Sequence, residues 1–272
     1  MPSVSHNPNF LVSLKAILFD LDDTLVVDEA VSKQTFAAVG QLAAKHGAEG
    51  DRLQRVAQET AKKLHREGPV YPYCRSIGIS AFECLWGGFE GVTPELTALR
   101  EWSHAFRVEV FDRALREQLI DNPALAQELS EAWAATRRKS QRLMPDAVET
   151  LARLSNYSIG LLTNGAPDLQ REKLAASGLA AFFQAVAVSG EHGIGKPKPE
   201  IFQILLGELG VTPSEAAMVG NSLERDIVGA NSAGLTSIWI KVAGSEEHFE
   251  TTPAFTIHGL AELPKILREL AA

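Results

Sequence analysis

From Ser158 onward, short apolar runs alternate with helical stretches, and no other feature of the chain restricts its fold as much. The runs are SIGLLT (158–163), QAVAVS (184–189), AAMVG (216–220), SIWIK (237–241) and AFTI (254–257). A run that is apolar throughout suits a strand buried on both faces, and strands separated by helices pair in parallel through crossover connections. KAILFD (15–20) adds one more run near the beginning of the chain. The pattern predicts a doubly wound, Rossmann-like α/β core with a parallel sheet. Pro199 suits a first helical position and Gly210 a helix stop, which frames EIFQILLGEL as a helix with Ile201, Ile204, Leu205 and Leu209 on one face. Gly234 is expected to end the helix that follows Asn221.

Residues 28–142 have a different texture, rich in Ala, Leu, Gln, Glu and Arg at helical spacing. Gly47 reads as a helix stop and Pro123, after Asp121 and Asn122, as a helix start. The expected organisation is an α/β core from 1–27 and 143–272, with an all-helical domain, 28–142, inserted after the first strand. Within it, VYPYCRSIGISAFECLWGGFEG (70–91) is rich in aromatics and glycines. Its expected role is to pack the insertion's own core; the alternative is a cover over the site.

At 272 residues with 45% apolar content, the chain can bury a substantial core. A formal charge of -8 with scattered Lys and Arg offers no basic face, which argues against nucleic acid as a partner. Cys74 and Cys84 have no CxxC spacing and no nearby His pair, so neither a disulfide framework nor a zinc cluster is expected, and the setting reads as reducing and cytoplasmic. MPSVSHNPNF lacks the basic and apolar regions of a signal peptide, and no apolar run approaches the roughly 18 residues of a membrane span. The expected form is a monomer or small homo-oligomer, away from membranes.

Ligands of open α/β sheets bind at the carboxyl ends of the strands. After the first run, FDLDDTL (19–25) places Asp20 and Asp22 on one side of an extended chain and Asp23 on the other. Carboxylates that close repel one another unless a cation or donors hold them. The second run ends in Thr163-Asn164-Gly165, a hydroxyl and backbone N–H groups at a helix start, suited to a phosphate. Lys196, in GIGKPKPE, supplies a positive charge on a stiff, tightly turned loop. Gly220-Asn221 and the following Ser222-Leu223-Glu224-Arg225-Asp226 bring oxygen ligands for a hard cation.

FDLDDTL, LLTNG, GKPKPEIF and VGNSLERDIVGA, in this order and with a helical insertion after the first, resemble the four motifs of the haloacid dehalogenase superfamily in its phosphatase branch. Within that branch the chain is most similar to phosphatases of sugar phosphates, acylneuraminate phosphates and nucleoside monophosphates. The resemblance implies a helical cap, a small phosphorylated metabolite as substrate and Mg2+ as cofactor. It implies Asp20 as a nucleophile that forms an aspartyl-phosphate and Asp22 as the acid and then the base. Thr163, the backbone N–H of Asn164, and Lys196 would hold the phosphoryl oxygens. Magnesium would bind the Asp20 carboxylate, the Asp22 carbonyl and the last motif, through Asn221 and Asp226. Relatives that displace halide carry no aspartate at the position of Asp22, so its presence favours ester hydrolysis.

The fourth motif of the family usually begins Gly-Asp, whereas this chain has Gly220-Asn221. The site thereby lacks one formal negative charge. Two other functions remain open: a phosphomutase on the same core, and a catalytically weak binding or regulatory protein whose metal site is weakened at Asn221. Taken singly, Thr163 could cap a helix, Asp226 could face solvent, and Asp23 and Thr24 are expected to shape the turn. Tyr73 and Arg75 are expected to pack, with contact to substrate as the alternative.

Overall fold

The structure is a computed structural model that describes residues 14–242 and 250–271; the N-terminal MPSVSHNPNF lies outside the described residues. The chain runs through β1 (Ala16–Phe19), α1 (Glu29–Ala44), α2 (Gly50–Glu67), α3 (Tyr71–Ile77), α4 (Pro94–Arg116), α5 (Pro123–Lys139) and α6 (Ala147–Ala152). It continues through β2 (Ser158–Thr163), α7 (Pro167–Ser177), β3 (Ala185–Val188), α8 (Ser189–His192), α9 (Pro199–Leu209) and β4 (Ala216–Gly220). Then come α10 (Val228–Ala233), β5 (Thr236–Ile240), β6 (Phe255–Ile257) and α11 (Leu263–Ala271).

Among the described residues the strands form one parallel sheet in the order β3-β2-β1-β4-β5-β6. β1 is central, with Ile17 opposite Ile159 on one side and Ala217 on the other. Because side chains alternate along a strand, β1 feeds two cores. Ile17 and Phe19 pack with Leu151, Leu174 and Leu263, while Ala16 and Leu18 pack with Ile201, Phe202 and Leu205. The fully buried face of α9 is Ile201, Phe202, Leu205 and Leu206, with Ile204 and Leu209 only partly covered. The apolar stripe is thus rotated from the one expected, because Phe202 and Leu206 turn inward against the sheet.

Helices α1 to α5 share a separate apolar cluster built around Phe36, Leu53, Leu99, Phe111, Leu129 and Trp133. α1 packs on α2 and α5, and α4 packs on the same two, which closes a four-helix arrangement. Asn122 begins α5 as expected: its side chain accepts a bond from the Leu125 N–H at 3.0 Å, ahead of Pro123. The 70–91 segment packs the insertion's core as expected and also reaches the crevice. Val70, Cys74, Ile77, Leu85, Trp86 and Phe89 join the helical cluster, while Gly78, Ser80, Ala81 and Phe82 line cavities beyond the carboxyl ends of the central strands.

Candidate active site

In this strand order the chain departs from β1 toward β2 and later returns to β4 on β1's other side, so a crevice opens beyond the carboxyl ends of β1 and β4. Asp20 stands at that point. Its N–H still donates to the Val219 carbonyl at 3.0 Å, so the extended chain carries the carboxylate just past the sheet.

Lys196 reaches the same place from the loop before α9. The Asn164 side chain fixes this loop to the end of β2, donating to the Lys196 carbonyl and accepting from the Lys196 N–H, both at 2.9 Å. The ammonium group donates to Asp20 Oδ1 at 2.6 Å and to the Leu162 carbonyl at 2.8 Å, and it lies 2.8 Å from Asp226 Oδ1. Burial alone would lower the pKa of Lys196, but Asp20 and Asp226 outweigh it, and the lysine stays charged. Burial raises the pKa of Asp20; Lys196 opposes this and Asp226 adds to it.

Asp22, two residues on, faces a cationic partner that the motif pattern does not announce. Lys173 of α7, buried at 1% side-chain exposure, donates to both Asp22 oxygens at 2.9 and 3.0 Å and to Glu83 Oε1 at 2.9 Å. It also lies 3.3 Å from Asp28, which is paired with Arg137. Burial pushes the Asp22 carboxyl up to about 7; Lys173 pulls it down, and Asp28, Glu83 and Asp20 push it further up. Asp28 is also buried, yet Lys173 and Arg137 together hold it below the ordinary carboxylate range. Glu83 and Arg137 belong to the insertion, so this network joins the two apolar bodies.

Asp23 takes the role in the turn expected of it. It adopts a left-handed backbone conformation at φ 55°, and its carboxylate accepts from the N–H groups of Asp28 (2.9 Å) and Glu29 (3.2 Å) at the start of α1. Thr24 links the first and last motifs, accepting from the Asn221 N–H at 3.1 Å. Its hydroxyl lies 3.4 Å from both Asp20 Oδ2 and Asn221 Oδ1. Asp226 is 1% exposed, with Oδ2 accepting from the Ser222 N–H at 2.9 Å and Oδ1 beside Lys196. Gly220 permits this approach, because a Cβ there would lie 2.2 Å from Asp226 Oδ2.

Thr163 lies behind these groups, 1% exposed, with its Oγ1 accepting from Gln170 Nε2 at 2.5 Å. Gln170 also donates to Asp22 at 2.9 Å, so Thr163 connects to Asp22 through one amide. Arg75, by contrast, is exposed and lines the outer cavity, so it does not have the packing role expected of it; Tyr73 is packed against the helical cluster.

The crevice has an inner and an outer part. The inner cavity, about 190 Å³, is lined among the described residues by the carboxylates of Asp20, Asp22, Asp23, Asp28, Glu83 and Asp226 and by two cations, Lys196 and Arg225. Asn221 contributes a further oxygen. An oxygen-only donor set with excess negative charge fits a hard divalent cation such as magnesium. The outer cavity, about 960 Å³, is edged by Lys62, Arg66, Tyr71 and Arg75 of the insertion.

Fold and site together define a doubly wound α/β enzyme with an acidic, cation-ready crevice at its switch point. The family model for haloacid dehalogenase-like hydrolases matches residues 14–234. The chain therefore belongs to the haloacid dehalogenase-like hydrolase family. It is 43% identical to a phosphoserine phosphatase of Thermus thermophilus over 92% of this chain and 98% of that protein. It is 29% identical to the N-acylneuraminate-9-phosphatase of Rattus norvegicus over 96% of each. A Bacillus subtilis protein described as a HAD-hydrolase, solved bound to magnesium, superposes with a TM-score of 0.64 at 21% identity, covering 94% of this chain and 99% of that one. At that identity the last comparison bears on the fold alone.

Proposed function

We propose that the chain hydrolyses a small phosphomonoester in two in-line displacements, with Asp20 as nucleophile. The enzyme is a phosphoric monoester hydrolase, and its named relatives act on small phosphorylated metabolites. One observation carries the mechanistic reading: Asp20 and Asp22 line one small cavity, the first held 2.6 Å from the buried Lys196 and the second 2.9 Å from the buried Lys173.

Asp20 attacks phosphorus, giving an aspartyl-phosphate and releasing the alcohol. Asp22 donates its proton to the leaving oxygen and afterwards takes one from the attacking water, which its near-neutral pKa allows. Lys196 balances charge on the phosphoryl oxygens, and the hydroxyl of Thr163 and the N–H of Asn164 add donors. Asp20, the Asp22 carbonyl, Asn221 and Asp226 would hold a magnesium ion. Bound there, it would supply positive charge between the nucleophile and the anionic substrate. The helical insertion serves as a cap whose Lys62, Arg66, Tyr71 and Arg75 face the substrate's alcohol portion.

The test is phosphate release from a panel of phosphorylated metabolites with and without magnesium, with product analysis to detect phosphoryl isomers. Release that requires magnesium and leaves no isomer supports the hydrolase. Isomer formation would support a mutase, and no turnover on any ester would support a binding role.

A further inference from the structure

Within the helical insertion, behind the wall of the outer cavity, three donors of softer character are buried together. His65 comes from the last turn of α2, Cys74 from α3 and Cys84 from the single turn at Glu83–Leu85. One ligand atom from each lies within 4.8 Å of the other two. All three residues are buried, both thiols are free, and His65 Nε2 has no hydrogen-bond partner among the described residues. A buried imidazole nitrogen without a partner calls for a ligand that packing does not supply. We propose that His65, Cys74 and Cys84 form a three-ligand site for a borderline-soft divalent cation of the zinc class.

Imidazole and thiolate are the donors such an ion takes at about 2.0–2.3 Å, which sets ligand atoms around one ion about 3.5–3.8 Å apart. The three side chains need to close by roughly an ångström. Two thiolates cancel the charge of a divalent ion, so the loaded site is neutral and compatible with its burial. Cys84 pulls the Cys74 thiol down to about 6, against the effect of burial and with help from His65, while Cys84 itself is raised well above the ordinary thiol range. One thiolate is therefore ready at neutral pH, and loading the ion releases one proton, from Cys84, to solvent. His65 and Cys74 also line the outer cavity, which gives the ion an entry path and leaves a fourth position for water.

The spacing of the two cysteines argues against a zinc cluster when the sequence is read linearly. The fold brings in a histidine that the linear spacing does not show, because the turn between α2 and α3 folds His65 back against them. Cys84 directly follows Glu83, which accepts from Lys173, so an ion at this site would also brace the residue that faces Asp22's partner.

The experiment uses the reduced full chain, stripped with a chelator and titrated anaerobically with Co2+ in excess Mg2+, which occupies the oxygen-lined site. One equivalent of cobalt should bind with a thiolate-to-cobalt charge-transfer band in the near ultraviolet, and Zn2+ should displace it. Cys74→Ser and Cys84→Ser should each weaken the band, and the double variant should remove it with the far-ultraviolet circular dichroism unchanged. Asp20→Asn should leave the band intact. Cobalt binding without the band, a band that persists in the double variant, or one that disappears in Asp20→Asn would overturn the proposal. So would a reduced wild-type chain, with both thiols titratable, that binds no cobalt.

Discussion

Lys173→Met removes one ammonium from among three carboxylates while keeping an unbranched stem in its buried channel. The group is 1% exposed and lies 2.9 Å from Asp22, 2.9 Å from Glu83 and 3.3 Å from Asp28. Removing one partner of a buried ion pair costs about 3–5 kcal/mol, because the other charge is left uncompensated. Asp28 retains Arg137, so Asp22 and Glu83 bear the loss. Asp22 can escape most of its share by taking a proton, each unit of pKa corresponding to about 1.4 kcal/mol. A loss of about 3–5 kcal/mol therefore equals roughly two to four units of upward shift at Asp22.

The sign follows from proton uptake. Lys173 holds Asp22 down to about 7 in the wild type; without it the variant's folded state binds protons more tightly. The stability gap between the two proteins should be full only above the variant's raised carboxyl pKa, and it should be larger at pH 8 than at pH 6 because the unpaired Asp22 takes up its proton as pH falls. Urea unfolding of both proteins at pH 6 and pH 8 measures it, and the alkaline limb of the rate profile should move upward in parallel. A gap under about 1 kcal/mol that is the same at both pH values would refute the assignment of Lys173 as the counter-ion of Asp22.

Asp20→Asn should abolish turnover and the trapping of the wild type by fluoroberyllate, read by phosphate release and intact-protein mass. Asp22→Asn should lose far more rate on alkyl phosphates than on nitrophenyl phosphate, whose leaving group needs no proton; stopped-flow comparison of the two esters checks this. In the wild type, the rate on alkyl phosphates should fall as pH rises through about 7, where Asp22 loses its proton, while nitrophenyl phosphate should show no such limb. Asn221→Asp should lower the half-saturating magnesium concentration at fixed ionic strength, since a carboxylate replaces an amide in the lining of the inner cavity. An unchanged value would place the ion away from that side chain.

The core and the four motif loops were readable because each depends on residues adjacent in the chain. An apolar run followed at once by Asp20, Thr163 or Asn221 fixes both the strand and what stands at its end. Asp226 was read as a candidate ligand, but nothing in its helix-like surroundings indicates that both oxygens face protein donors. The insertion's contributions were not readable, since Glu83 meets Lys173 across 90 positions and Arg137 meets Asp28 across 109. The same holds for His65, Cys74 and Cys84, which lie near one another in the chain but converge only because a turn folds α3 back on α2.

One contact can be argued from the α7 stripe and the strand pairing without its distances. The buried side of α7 is Leu169, Gln170, Lys173 and Leu174, so an amide and an ammonium occupy an otherwise apolar stripe. A lysine at such a position must shed its charge or meet an acid, and in a helix that begins just past the carboxyl end of β2 the nearest acids are those at the end of a neighbouring strand. β2 has two such neighbours: β3 leads to Glu191, which Arg171 of the same helix holds at 2.9 Å, and β1 leads to Asp20 and Asp22. Lys196 already accounts for Asp20, which leaves Asp22 for Lys173. A polar residue inside an amphipathic stripe, placed against a parallel-strand register, therefore identifies half of an ion pair whose other half is a motif residue, and here the pair spans 151 positions.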